Sequence, residues 1–256
     1  EFGEEVLRVE HLTVRNEDKY EVVKEVSFSV IEGELFVVAG VSGNGQIELA
    51  DAIAGLVKPS GGRIFLKGED ITSYSIRRRN LSGISYIPED RHGVGLVMDF
   101  TLADNLALKS YFDEPFSHKG VVRTNEFAKY GDGLIGKYDI RSSQGNDTIV
   151  RSMSGGNQQK AIIAREIELD SPLTIFVQPT RGLDIGAIEN IHKQIVEERN
   201  KGKAILLISL ELDEVMNLAD TIGVIYNGAI QKIADARTLT PSQVGEFMMG
   251  VGGKHK

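Results

Sequence analysis

The segment Gly40-Val41-Ser42-Gly43-Asn44-Gly45-Gln46 carries glycines at the spacing of a phosphate-cradling loop. Glycines let successive backbone N–H groups turn toward one anion, and a helix that follows adds the favourable end of its dipole. The complete pattern, G-x-x-x-x-G-K-[ST], also has a Lys for the β- and γ-phosphates and a hydroxyl for Mg²⁺. Here Gln46 stands at the Lys position and Ile47 at the hydroxyl position. An amide donates hydrogen bonds without charge, and Ile offers a metal nothing, so the loop keeps its shape and loses its charge-handling groups. The same glycine spacing also describes a plain strand-to-helix turn. A second anion-type sequence starts at Ser154-Gly155-Gly156-Asn157, where a capping hydroxyl and two glycine amides open a helix running through Ile162, Ile163, Arg165 and Ile167. Its bland alternative is an N-capped helix with flexible glycines.

The elements that must hold these groups read as α/β. Short segments rich in β-branched residues, bounded by polar turns, predict strands at Leu7–Val14, Val26–Val30, Glu34–Ala39, Arg63–Leu66, Gly83–Ile87, Leu173–Val177, Ala204–Ser209, Thr221–Tyr226 and Ile230–Ala234. Several are almost wholly apolar, as in a parallel sheet covered on both faces. A helix is predicted at Ile47–Ala54, ended by Gly55 before the turn Pro59-Ser60-Gly61-Gly62, and others at Ala187–Lys201 and Glu211–Ala219. From about Leu102 to Glu168 helical periodicity dominates and no strand is expected, which predicts a mostly helical lobe. Gly252–Lys256 reads as a disordered polar tail, and Glu1-Phe2 as a cloning remnant.

Composition narrows the function classes. With 256 residues, 41% hydrophobic and 26% charged, the chain can bury a full α/β core. A net charge of −8 repels phosphate backbones and anionic headgroups, which argues against nucleic acid as a partner. No apolar run of roughly 18 residues exists and the first residues lack a signal pattern, so no direct membrane insertion and a cytoplasmic location are expected. The absence of cysteine excludes disulfides and thiolate sites, and five scattered His show no ligand spacing, so no structural metal is expected.

Further motifs carry a resemblance to a known family. Ser152-Met153-Ser154-Gly155-Gly156-Asn157-Gln158-Gln159-Lys160 resembles the LSGGQ signature of ABC ATPases, in the SGGNQQK variant of sugar and nucleoside importers. Leu173 through Asp184, ending Gln178-Pro179-Thr180-Arg181-Gly182-Leu183-Asp184, resembles the Walker B strand and D-loop, with Val177 and Gln178 where the family has Asp and Glu. The Asp orients Mg²⁺ and the Glu polarises the attacking water; Val holds no ion, and Gln orients water weakly. Leu206 through Glu214 resembles the switch strand, with Leu210 replacing the γ-phosphate-sensing His. Ile87-Pro88-Glu89-Asp90-Arg91 resembles the Q-loop, with Glu89 at the Gln position, although these residues also suit an ordinary turn.

Spanning essentially the whole chain, the resemblance implies a P-loop ABC ATPase domain: a RecA-like core over about 1–90 and 166–256, an antiparallel β subdomain, and an inserted α-helical lobe over about 91–165. The motif variants look most like the second, C-terminal domain of fused importer ATPases for simple sugars or nucleosides, with the nucleoside (basic membrane lipoprotein) branch the nearer match, and the chain as an excised half. The implied nucleotide site uses Gly40, Ser42, Gly43, Asn44, Gly45 and Gln46, with Tyr20 as adenine-stacking aromatic or simply an exposed turn tyrosine. Ser154, Gly155, Gly156 and Asn157 would grip ATP held on a partner domain, Glu89 would relay nucleotide state, and Asp184 would meet the partner domain or sit in a surface turn. With Gln46, Ile47, Val177, Gln178 and Leu210 at the catalytic positions, the domain is expected to hold ATP weakly and hydrolyse it negligibly, with no metal and no catalytic residue of its own. Expected partners are the N-terminal ABC domain of the same polypeptide, or another paired ABC domain, and transmembrane permease subunits at the inner membrane face. A regulatory nucleotide-sensing module on the same fold, or a soluble ABC protein acting on nucleic acid, is the alternative.

Overall fold

The structure, a computed structural model, describes residues 3–252, so the readings of Glu1-Phe2 and of residues 253–256 of the tail fall outside the described residues. In chain order the elements are β1 (Glu5–Arg15), β2 (Glu21–Ile31), β3 (Leu35–Ala39), α1 (Gln46–Ala54), β4 (Gly61–Leu66), β5 (Glu69–Asp70), α2 (Ile76–Ser82), β6 (Ile84–Ile87), α3 (Leu102–Ala107), β7 (Ser117–His118), β8 (Val121–Val122), α4 (Thr124–Lys137), α5 (Gly155–Ile167), β9 (Leu173–Val177), α6 (Ile185–Asn200), β10 (Ala204–Ser209), α7 (Leu212–Leu218), β11 (Thr221–Tyr226), β12 (Ala229–Asp235) and α8 (Pro241–Met248).

The described chain separates into two compact units. The first comprises the residues up to Tyr86, Ser171–Gln178, and those from His192 on. Its larger sheet has the order β12-β11-β3-β10-β9-β6. β10 runs parallel to both β3 and β9, and β11 parallel to β3, while β12 closes the edge antiparallel. Every residue of β3, β9 and β10 is buried, which explains why these segments read as unbroken apolar runs. A second sheet, β2-β1-β4-β5, is antiparallel throughout. The alternating burial of β2 marks a face packed inward and a face left to solvent. The α/β class and the antiparallel subdomain expected from sequence are both present.

The second unit comprises Ile87–Asp170 and Pro179–Ile191. The sequence had assigned the segment 179–191 to the core; by contacts it gathers with the helical unit. α3 and α4 enclose a small core of Ala103, Ala107, Phe116 and Phe127. The expectation of no strand here is corrected by the hairpin β7–β8, in which Ser117 pairs with Val122 and His118 with Val121. Lys119 and Gly120, with φ of 50° and 80°, form its turn. The two-residue strands are too short for a periodicity signal, so only the Lys-Gly turn could have betrayed them. α2 and α8 were also missed, although α8 opens with a capping box between Thr240 and Gln243 and has Pro241 in its first turn.

Candidate functional site

The Gly-rich loop joins buried β3 to α1, with Gly43 and Gly45 at φ 86° and 95°. Gly45 also lies against β2, where any Cβ would strike the Val22 carbonyl oxygen. Left-handed backbone at alternate loop positions is a geometry that a phosphate cradle uses. Gln46, 1% exposed, does not extend outward from that cradle. Its Oε1 accepts from the Asn44 N–H at 2.9 Å and its Nε2 donates to the Val41 carbonyl at 2.7 Å. Asn44 is held as firmly. Its Nδ2 donates to Val41 O (2.9 Å), its Oδ1 accepts from Asn227 N–H (2.7 Å), and its carbonyl accepts from Gly228 N–H (3.0 Å). Gly40 packs beside Ile225 and Gln46, while Ser42 and Gly43 remain exposed. Tyr20 is 72% exposed, two residues before the Val22 that abuts Gly45.

The other positions expected to handle charge are apolar or engaged. Ile47 packs against the main core, and Val177 is fully buried within it. Gln178 is 7% exposed with φ 45°, and its N–H donates to Ile208 O at 2.9 Å. Leu210 is half-buried just after β10, where Ser209 Oγ accepts from Glu211 N–H at 3.2 Å. Glu214, one turn into the switch segment, hydrogen-bonds His192 at 2.7 Å.

In the helical unit Ser154 caps α5, its Oγ accepting from Asn157 N–H (3.4 Å) and Asn157 Nδ2 (2.9 Å). Asn157 Oδ1 in turn accepts from Arg141 N–H at 2.8 Å, so both of its amide atoms brace the local chain. Ser154, Gly156, Asn157 and Asp184 line one cleft of about 330 Å³, together with Arg141 and Lys160. Asp184 Oδ1 accepts from Ala187 N–H (3.0 Å), which makes it a cap for α6.

Glu89 lines a separate cleft of about 440 Å³ with Asp90, Arg91, His92, Arg181 and Gly182. Asp90 starts a π-helical turn at Arg91–Gly95 by accepting from His92 and Gly93 N–H (3.1 and 2.9 Å). Glu89 forms an ion pair with Arg181, and Arg91 Nη1 donates to Arg181 O at 3.3 Å. The Arg91 guanidinium lies beside Gly155; burial, and then the charge of Arg181, hold it below the usual guanidinium pKa.

Sequence reasoning singled out no role for Gln158 or Gln159. Gln158 donates to Val150 O (2.9 Å) and shares a hydrogen bond with His92 (3.0 Å). Gln159 donates to Pro179 O (2.8 Å). The pair thus ties the signature helix to the Glu89 segment and to the Pro179-Thr180-Arg181 loop. Their position just inside a helix that opens with two glycines was the available signal.

The resemblance implies nucleotide and Mg²⁺, and the residues answer differently for each. At the hydroxyl and Asp positions Ile47 and Val177 present only carbon, so neither side chain can hold a metal. The loop backbone has the curvature for phosphate, but the Asn44 amide is already taken by Gln46.

A sequence profile for ABC transporters matches residues 23–181. The chain is 46% identical over 248 residues to the guanosine import ATP-binding protein NupO of Bacillus subtilis, a match covering 97% of this chain and 48% of that protein. It is 44% identical over 245 residues to the nucleoside import ATP-binding protein NupA of Lactococcus lactis, covering 96% and 48%. The chain therefore spans about half the length of these curated relatives. Among solved structures, a dimeric bacterial ABC transporter cassette superposes with a TM-score of 0.77 at 20% identity, covering 90% of this chain and 99% of that one. A nucleotide-free ATP-binding cassette from an ABC transporter gives 0.75 at 24% identity, covering 91% and 92%. At those identities the likeness is one of fold, and it shows the P-loop ABC ATPase fold. The matched span contains the Gly-rich loop, the signature helix and Pro179-Thr180-Arg181, and the chain belongs to the ABC transporter family.

Proposed function

We propose that this chain is the degenerate ATP-binding half of a nucleoside or sugar importer, acting as signature donor rather than as ATPase. The observation that carries this reading is a contrast. Ser154 caps α5 at the edge of an open cleft, whereas Ile47 and Val177 lie in or against the apolar core. Amides at a helix N-terminus favour an anion, and Ser154, Gly155 and Gly156 would take the γ-phosphate of ATP bound to a partner ABC domain. Glu89 and Asp184 would pass the state of that site to permease subunits and to the paired domain. The relatives named for guanosine and nucleoside import, each about twice this length, support a fused two-domain parent and a nucleoside cargo.

Removing one charge-stabilising group commonly costs about 10²- to 10³-fold in rate. Such losses do not add. Even so, Gln46, Ile47, Val177, Gln178 and Leu210 supply at those positions no charge and no carboxylate or imidazole that would activate water or hold Mg²⁺. Phosphate release from Mg-ATP by the purified chain should run at least about 10²-fold below the one per second at the low end of phosphoryl-transfer enzymes. Turnover near that rate would contradict the reading.

A further inference from the structure

We propose that Gln46 sets the affinity of the Gly-rich loop by occupying its phosphate cradle from within. The inference rests on the reading of this loop as a degenerate nucleotide site and names the residue that closes it. A phosphate bound to such a loop is held by inward-turned amides, and the Asn44 N–H, between the left-handed Gly43 and Gly45, is one of them. In this chain that amide donates to Gln46 Oε1 at 2.9 Å. The side-chain oxygen of Gln46 therefore stands in for a phosphate oxygen. Four further hydrogen bonds brace this arrangement. Gln46 Nε2 donates to Val41 O at 2.7 Å, and Asn44 Nδ2 donates to the same carbonyl at 2.9 Å, so both acceptor positions of Val41 O are filled. The opposite side of Asn44 is tied to the β11–β12 turn through Asn227 and Gly228.

Gln46 is 1% exposed, so the bond between its Oε1 and the Asn44 N–H is shielded from water. A phosphate must displace Oε1, which strands a buried amide, or forgo the Asn44 N–H. The substitution thus does more than delete a charge. It supplies a neutral, covalently attached competitor for the anion. A Lys at the same position could still donate to Val41 O, but it has no acceptor to offer Asn44 and would leave the cradle open.

Calorimetric titration of the purified chain with ADP tests this without reference to turnover. Gln46→Ala should bind ADP about tenfold more tightly than the native chain, because one charge-assisted hydrogen bond becomes available. Gln46→Lys should exceed it, at about a hundredfold over native. Affinity for Gln46→Ala equal to or weaker than native would overturn the proposal, since Gln46 would then be neutral or a phosphate ligand. Hydrogen exchange gives a readout that survives a poorly folded variant: the Asn44 amide should be protected in the native chain without nucleotide, and rapid exchange there would overturn the proposal. Rapid ATP hydrolysis by the native chain would sink the signature-donor reading, whereas these two measurements address Gln46 itself.

Discussion

Asp235 shows how much a single residue can do without burial. Its carboxylate accepts from Arg237 Nε (3.0 Å), Arg237 Nη2 (2.6 Å) and the Arg237 N–H (2.9 Å). Those hydrogen bonds, led by the Arg237 side chain, pull its pKa from 3.8 down to about 2. A folded-state pKa below the unfolded value makes ionisation favour the native state. The contribution is therefore complete above about pH 3.8 and disappears as pH falls toward 2. NMR titration should place the Asp235 midpoint near 2 in the native chain and return it toward 3.8 in Arg237→Ala. An unshifted native midpoint would show that Arg237 does not hold the carboxylate. At this scale the sequence was informative about residue type and silent about direction. That Gln46 lacks the charge of Lys was legible. That its amide turns back on Asn44 depends on where Asn227 and Gly228 hold the loop, roughly 180 residues away, which no local pattern encodes. Asn157 repeats the lesson, since its partner on the far side is Arg141 N–H.

At the scale of elements, the helix that carries the Gly-rich loop is finished by a residue from another helix. Arg79, 2% exposed, sends Nη1 to Ala52 O and Ile53 O at the end of α1 (both 2.9 Å), Nη2 to Thr72 O (2.9 Å) and Nε to Tyr74 O (3.0 Å). A cation at a helix C-terminus meets the negative end of the dipole, and here it also satisfies carbonyls that water does not reach. Burial lowers the Arg79 pKa, but a guanidinium stays charged. Arg79→Ala should destabilise the fold by about 3 kcal/mol or more, since each buried polar group left unpaired costs about 1–3 kcal/mol. Urea unfolding would read this as a lower midpoint at unchanged slope; a loss under about 1 kcal/mol would mean the carbonyls find other donors. Elements with a strong period or a wholly apolar run were legible, and β9, β10 and β11 fall where the sequence placed them. α2 was not, because Ile76-Arg77-Arg78-Arg79 has no apolar stripe and is held by the Ser75 cap and by Arg79 reaching inward.

For the whole molecule, the ordered motifs made the fold legible. Five substituted positions among them, Gln46, Ile47, Val177, Gln178 and Leu210, are the ground on which a loss of chemistry is proposed. What the sequence left open is how such a chain is useful, and the proposal is that it works through a partner's ATP. None of its helices is long and apolar enough to cross a membrane among the described residues. Steady-state ATP turnover of this chain assembled with an ABC domain that carries complete catalytic motifs, native against Ser154→Ala, tests that claim most directly. The account expects the native pair to hydrolyse ATP and Ser154→Ala to lower its turnover by about 10²-fold, well beyond the roughly 1 kcal/mol that losing the α5 cap would cost in stability. Turnover unchanged by Ser154→Ala, with the pair still assembled, would contradict it.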